Sequence, residues 1–196
     1  MFVIDDQAAV RDALGEMLRV FGYSVRTFEA ADGFLAALTG DEAGCIVADV
    51  RMPGTDGIEL VRELARRRSA LPVVLISGHA DVPMAVAGIK AGAEDFIEKP
   101  VDDVQLLAAI NRSLARAYAR QQSLGDLQRR FESLTAREVE VMDLVVQGYT
   151  SQAIAARLDI SPRTVESYRV QIMDKLQAAS VAVLVRLAVR LGRLSP

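Results

Sequence analysis

The sequence predicts an α/β fold, a doubly wound sheet of five parallel strands, joined by a long helical linker to a small all-α helix-turn-helix domain. Three observations predict it. In the first 120 of the 196 residues, short β-branched apolar runs alternate with stretches whose apolar residues recur at three and four. Residues 103–133 carry a proline-free helical pattern. From Leu134 onward every segment has helical spacing, and several begin with capping residues.

Taken in order, "FVID", "SVRTF", "CIVAD", "PVVLIS" and "DFIEK" read as strands. Between them "AVRDALGEMLRVFG", "ADGFLAALTG", "GIELVRELARRR" and "VPMAVAGIKAG" read as helices. Such sheets are covered on both faces and form sites beyond the carboxyl ends of their strands. In the linker, Val104, Leu107, Ile110, Leu114, Ala117, Leu124, Leu127 and Phe131 make an apolar seam. The spacing predicts one long helix, or two broken near Gly125, whose seam could pair with a second copy as a coiled coil; the alternative is an ordinary last helix and a loose tether. Thr135 with Glu138 has the capping-box arrangement, and Ser161 before Pro162 is an N-cap with proline at the first helical position. The expected division is 1–102, 103–133 and 134–196.

The 51% hydrophobic content is ample for packed cores, and no apolar run approaches the roughly 18 residues of a membrane helix. The opening "MFVIDDQ" has acids where a signal peptide would continue its apolar region, so the expectation is a soluble cytoplasmic protein without membrane contact. The net charge of −3 conceals an asymmetry: residues 1–120 hold 13 Lys and Arg against 18 Asp and Glu, whereas residues 121–196 hold 10 against 8. The single cysteine, Cys45, has apolar neighbours and reads as a small buried side chain.

The stretch "IVADVRMPGTDG" carries an acid, Asp49, to the end of a buried apolar strand and follows it with proline and two glycines. Burying a carboxylate is costly unless a cation meets it. Asp5 and Asp6 end the first strand, Ser77 the fourth and Lys99 the fifth, so all these groups project from one edge of the sheet. Carboxylates brought that close repel one another unless a hard divalent cation holds them, and Mg2+ is the natural candidate. With Lys99 as a fixed charge and Ser77 as a hydroxyl donor, the set suits phosphoryl transfer, with Asp49 as the nucleophile.

The segments "VIDD", "VADVRMPGTDG" and "VVLISGHADVPMAVAGIKAGAEDFIEKP" resemble the flavodoxin-like receiver domain of bacterial two-component response regulators over residues 2–120. The resemblance implies that Asp49 accepts phosphate from a sensor histidine kinase. It further implies that Asp6, Asp49 and the backbone carbonyl of Arg51 bind Mg2+, that Asp5 helps through water, and that Ser77 and Lys99 contact the phosphoryl group. Phe96 falls where these receivers carry an aromatic switch residue, and His79 reads as a residue on the site rim that affects dephosphorylation.

In the last third, "TSQAIAARLDISPRTVESYRVQIMDKL" has the shape of a helix-turn-helix, with a turn near Asp159. A helical wheel puts Val165, Tyr168, Arg169, Ile172 and Leu176 on one side of the second helix, and Arg163, Glu166, Ser167, Val170 and Asp174 on the other. A simple bundle with a wet polar face has the same pattern, and residues 131–196 hold only 8 basic against 7 acidic residues. The sequence from Leu134 to Leu176 is similar to the LuxR/FixJ-type DNA-binding domain. That resemblance implies that Glu166, Ser167 and Val170 face bases while Arg163, Thr164, Arg169 and Lys175 favour phosphates. Ser151 stands where asparagine is common and Tyr168 where histidine is usual. Glu166 would prefer a cytosine amino group. In this family the last helix pairs two domains, which would use Val181, Leu184, Val185 and Ala188; packing inside the monomer explains the same stripe.

The expected protein is a response regulator, not a classical enzyme, that dimerises on phosphorylation and meets double-stranded promoter DNA and RNA polymerase. The competing expectations are a magnesium-dependent aspartyl-phosphate phosphatase and a receiver interaction module without DNA binding. Against the phosphatase, the residue two beyond Asp49 is Arg51, not a second acid.

Overall fold

The first strand, β1 (Phe2–Ile4), is wholly buried and pairs in parallel with both β2 (Arg26–Phe28) and β3 (Ile46–Asp49). β4 (Val73–Ser77) and β5 (Asp95–Glu98) extend the sheet beyond β3, giving the order β2-β1-β3-β4-β5. The chain therefore reverses its direction of winding between β1 and β3, and their carboxyl ends flank the crevice where such folds build sites. The computed structural model describes residues 1–78 and 82–194, so His79 lies outside the described residues. Two compact units divide the chain, Met1–Ala119 and Arg120–Pro196.

Period-two alternation sorts the strand side chains onto two faces. Phe2, Ile4, Ile46, Ala48, Val73 and Leu75 pack with α2 (Ala31–Ala36), α3 (Gly57–Arg66) and part of α4 (Val82–Ala91). Val3, Val47, Val74, Ile76 and Ile97 pack with α1 (Ala8–Val20) and the first turns of α5 (Asp103–Glu132). Cys45 joins this second face at 0% exposure, and burial pushes its thiol pKa up to about 12, so it is an inert core residue.

The helix after β2 is shorter than its apolar spacing predicts. It ends at Ala36 because the Glu42 carboxylate accepts the backbone N–H groups of Thr39 and Gly40, turning the chain away; those bonds hold its pKa at about 2. α5, in contrast, runs unbroken through Gly125. Its apolar seam is divided: Ile110 and Leu127 are buried, Leu107 and Leu114 pack in the core of the first unit, and Val104 and Leu124 are 75% and 45% exposed. Among the described residues no helix is long and apolar enough to cross a membrane.

The second unit holds α6 (Ala136–Val146), α7 (Ser151–Leu158), α8 (Pro162–Leu176) and α9 (Val181–Arg190). Each begins at a side-chain cap, Thr135, Thr150, Ser161 and Ser180 in turn, and Thr135 with Glu138 completes a capping box. Asp159 ends α7 at φ 53, a left-handed conformation that aspartate tolerates, so the turn into α8 is tight. Val141, Met142, Ile154, Val165, Ile172 and Leu176 form the core.

Two sets of expected contact residues already have partners inside the second unit. Leu184 and Ala188, expected at a dimer face, are 2% and 0% exposed within this core, and Val185 packs against it; of the four, Val181 stays exposed. Most of the apolar stripe of α9 is taken up by its own domain. Lys175, expected on DNA phosphate, instead donates to the buried Glu138 carboxylate at 2.7 Å and to the Ser133 carbonyl at 3.3 Å. An acid inside the core requires a counter-charge, and this lysine supplies it.

Burial disfavours the charged form of Glu138, but bonds from Lys175 and Thr135 outweigh it and hold the pKa below the ordinary 4.5. A depressed folded value means that its stabilisation is complete above the unfolded pKa and is lost as pH falls through the folded one. Thermal melts of the wild type between pH 6 and pH 3 will show this loss, and Glu138→Gln will flatten it. Lys175→Ala will destabilise the second unit by roughly 1–3 kcal/mol, the cost of an unpaired buried acceptor.

Candidate functional site

Asp49 and Asp5 reach the edge of the sheet from adjacent strands and are 4% and 0% exposed. Lys99, just past β5, meets both: its Nζ is 2.5 Å from Asp49 Oδ1 and 2.8 Å from Asp5 Oδ2. The second oxygen of each acid accepts a backbone N–H, Asp49 from Arg51 at 2.6 Å and Asp5 from Gln7 at 2.9 Å. Burial nevertheless raises the Asp49 pKa above the ordinary 3.8, against the pull of Lys99. Lys99 is itself lowered by burial, yet its bonds to the two acids prevail and raise it. The site thus pairs an ammonium that stays charged with a buried carboxylate whose charge is costly there.

The loop after Asp49 has the glycines its geometry demands. A Cβ on Gly57 would lie 2.4 Å from the Asp49 carbonyl oxygen and 2.9 Å from Val50 Cα, so only glycine lets the chain pass this close. Gly54 adopts φ +76, and a Cβ there would come within 2.9 Å of Asp32 Oδ2. Thr55 fastens the same loop by donating its hydroxyl to Asp32 at 2.6 Å, and Asp56 caps α3 by accepting from the Glu59 N–H. Met52 is buried beneath the loop, anchoring it from below.

Asp6 is exposed, unlike Asp5, and lines a cleft of about 600 Å³ with Val50, Arg51, Met52, Pro53, Asp56, Ile58 and Met84. Among the described residues no group of three or more His, Cys, Asp or Glu is arranged to hold a metal alone. Two carboxylates, Asp6 and Asp49, with a main-chain carbonyl suit a hard cation that takes few protein ligands and keeps its waters.

Ser77, 1% exposed, directs its hydroxyl to Met84 Sδ at 3.7 Å, and its carbonyl accepts the Lys99 N–H at 2.8 Å. Phe96 lies partly buried under α4, where a Cβ on Gly88 would sit 3.5 Å from its ring. Periodicity had no means of finding Met84, nor Arg11, whose guanidinium holds the Asp5 carbonyl at 2.7 Å, nor the Asp32 clasp. These partners come from other elements, and only the proximity of Arg11, one turn into α1, leaves a trace in sequence.

On α8, Arg163, Glu166, Ser167 and Val170 are exposed, while Val165, Ile172 and Leu176 are buried. Thr164 is half-buried and shares its hydroxyl with the Ser161 cap. Arg169 Nη1 donates to Ser151 Oγ at 2.9 Å and stands 3.6 Å from Glu166 Oε1. Ser151 in turn donates to Glu166.

A buried carboxylate paired with lysine lies at the switch point of a parallel sheet, and a helix-turn-helix follows it in the chain. Residues 1–111 match the family described as "Response regulator receiver domain", and residues 132–188 match "Bacterial regulatory proteins, luxR family". The chain belongs to the response regulators with a receiver and a luxR-family output domain. It is 45% identical to transcriptional regulatory protein FixJ of Bradyrhizobium diazoefficiens, with 100% of this chain and 97% of that protein covered. It is 39% identical to response regulator protein TodT of Pseudomonas putida, covering 97% and 86%. Of solved structures, full-length FixJ from B. japonicum superposes with a TM-score of 0.60 at 45% identity, covering 99% and 97%, and the response regulator StyR with 0.62 at 40%, covering 96% and 97%.

Membership makes the protein a regulator activated by phosphorylation of its receiver and binding DNA through its output domain. Its family uses Mg2+-dependent phosphorylation chemistry and has no enzymatic activity beyond its own phosphorylation and dephosphorylation, which sets the phosphatase reading aside.

Lys99→Ala leaves two buried carboxylates without their cation. Urea unfolding will show a loss toward the lower end of the roughly 3–5 kcal/mol typical of a broken buried pair, since the lysine side chain retains 16% exposure. Adding Asp49→Asn to Lys99→Ala will recover part of that loss.

Proposed function

We propose that Asp49 is the phosphoacceptor and that a sensor histidine kinase is the donor. One observation carries the reading: the Asp49 carboxylate is held by Lys99 at 2.5 Å beside a cleft lined by a second acid, Asp6. An Asp49 oxygen forms the bond to phosphorus as the bond to the donor nitrogen breaks. Lys99, displaced only slightly from its acids, stabilises charge on the phosphoryl oxygens, and the Ser77 hydroxyl turns from Met84 to donate to one of them. Asp6, Asp49 and the Arg51 carbonyl would hold Mg2+, with Asp5 acting through water, and the ion would supply positive charge to offset the acids and the phosphoryl group.

The same turn takes the Ser77 hydroxyl away from Met84, in the first turn of α4, and Phe96, packed under that helix, turns inward with it. α4 carries Val82, Val86 and Ile89 at 76%, 45% and 49% exposure, spaced along one face. That stripe supports homodimerisation on phosphorylation better than α9, where Leu184 and Ala188 are buried in their own domain and Val181 alone of the four expected residues is exposed. A few kcal/mol of differential stabilisation suffices to shift such an equilibrium. The paired output domains then bind promoter DNA in the cytoplasm and act on RNA polymerase, with Glu166, Ser167 and Val170 toward bases and Arg163 and Thr164 toward phosphates.

Acetyl phosphate with Mg2+ will add one phosphate to the wild type, seen by mass, and shift it from monomer to dimer in sedimentation. Asp49→Asn will gain neither. Ile89→Asp will accept phosphate and stay monomeric; phosphate without any change in wild-type assembly would remove the dimer mechanism. Binding of the phosphorylated chain to DNA will weaken with salt, and Arg163→Ala will lower the slope of log affinity against log salt by about one per DNA-bound domain.

A further inference from the structure

We infer that Ser151 and Arg169 are positioning residues that set the base preference of Glu166, directing it to a base carrying an exocyclic amino group in the major groove. The inference rests on the DNA-binding reading of α8. Ser151 is the first residue of α7, and Thr150 already caps that helix, so the Ser151 hydroxyl has no capping duty. It accepts from Arg169 Nη1 at 2.9 Å and donates to Glu166 Oε1, while Arg169 Nη1 lies 3.6 Å from that same oxygen. One hydroxyl thus joins two residues one helical turn apart on the reading helix.

The consequence falls on the other carboxylate oxygen. Glu166 Oε2 makes no hydrogen bond or ion pair among the described residues, and 59% of the side chain is exposed. An uncompensated carboxylate entering a groove between phosphates is repelled. Arg169 behind Oε1 offsets that charge, and Ser151 fixes the rotation of the group, so Oε2 is presented outward as an acceptor. Cytosine N4 and adenine N6 offer matching donors in the major groove, whereas guanine and thymine offer acceptors that an ionised acid repels. A residue on α7, outside the reading helix, thereby sharpens what that helix reads. An asparagine at this position has a longer side chain and two amide donors, and would not place the carboxylate in the same way.

The full chain, treated with acetyl phosphate and Mg2+, is mixed with random-sequence DNA, and the bound pools are sequenced for wild type, Glu166→Ala, Ser151→Ala and Ser151→Thr. The wild type enriches cytosine or adenine at a position where Glu166→Ala shows no preference. Ser151→Ala lowers that preference roughly two- to tenfold, the worth of one hydrogen bond, with other positions and the melting temperature unchanged, and Ser151→Thr restores it. The inference is overturned if Ser151→Ala keeps the wild-type preference, if it flattens all positions equally, or if no position depends on Glu166. A wild type that enriches no DNA at all would instead sink the DNA-binding reading beneath it.

Discussion

The receiver depends on one cation placed between two buried acids. Lys99 follows β5, Asp49 ends β3 and Asp5 follows β1, so the three meet only when the sheet has its order β2-β1-β3-β4-β5. Each carboxylate spends its remaining oxygen on a backbone N–H from the loop beginning beside it. Packing alone would fill this edge with apolar residues at lower cost. The acids persist there as a functional reservoir of negative charge, half neutralised by the lysine.

The output unit solves a similar problem with the same residue type. Glu138 is buried among apolar helices, completes the cap of α6, and is answered by Lys175 from the far end of α8. Here the acid completes a helix cap, so the interaction fixes helix against helix. A lysine opposite a buried acid is therefore ambiguous by itself, and what distinguishes the two cases is access: Asp6 and Arg51 line an open cleft beside one pair, while the other closes a cap.

The strands were legible because a parallel sheet buried on both faces requires continuous β-branched runs, and the site was legible because acids, serine and lysine end those runs. The helix-turn-helix was legible from Ser161, Pro162 and the wheel of α8. What sequence could not supply was the identity of the surface opposite each stripe. Leu184 and Ala188 show an apolar face without saying whether it belongs to the same chain or another, and the core closes over them. Lys175 and Arg169 look like free cations on a helix until Glu138, 37 residues away in sequence, and Ser151 on the preceding helix claim them. The early end of α2 was hidden for the same reason, since Glu42 acts back across a turn on Thr39 and Gly40.

α8 is bolted at two points, by Lys175 near its C-terminal end and by Arg169 to α7, while Arg163, Ser167 and Val170 lie outside the core and outside both bolts. Exposed positions of this kind tolerate substitution at a cost usually within about 0.5 kcal/mol. Inherited variation can therefore rewrite the address of such a regulator one exposed side chain at a time, and a duplicated copy can drift to new promoters while its fold and its phosphorylation input remain unaltered.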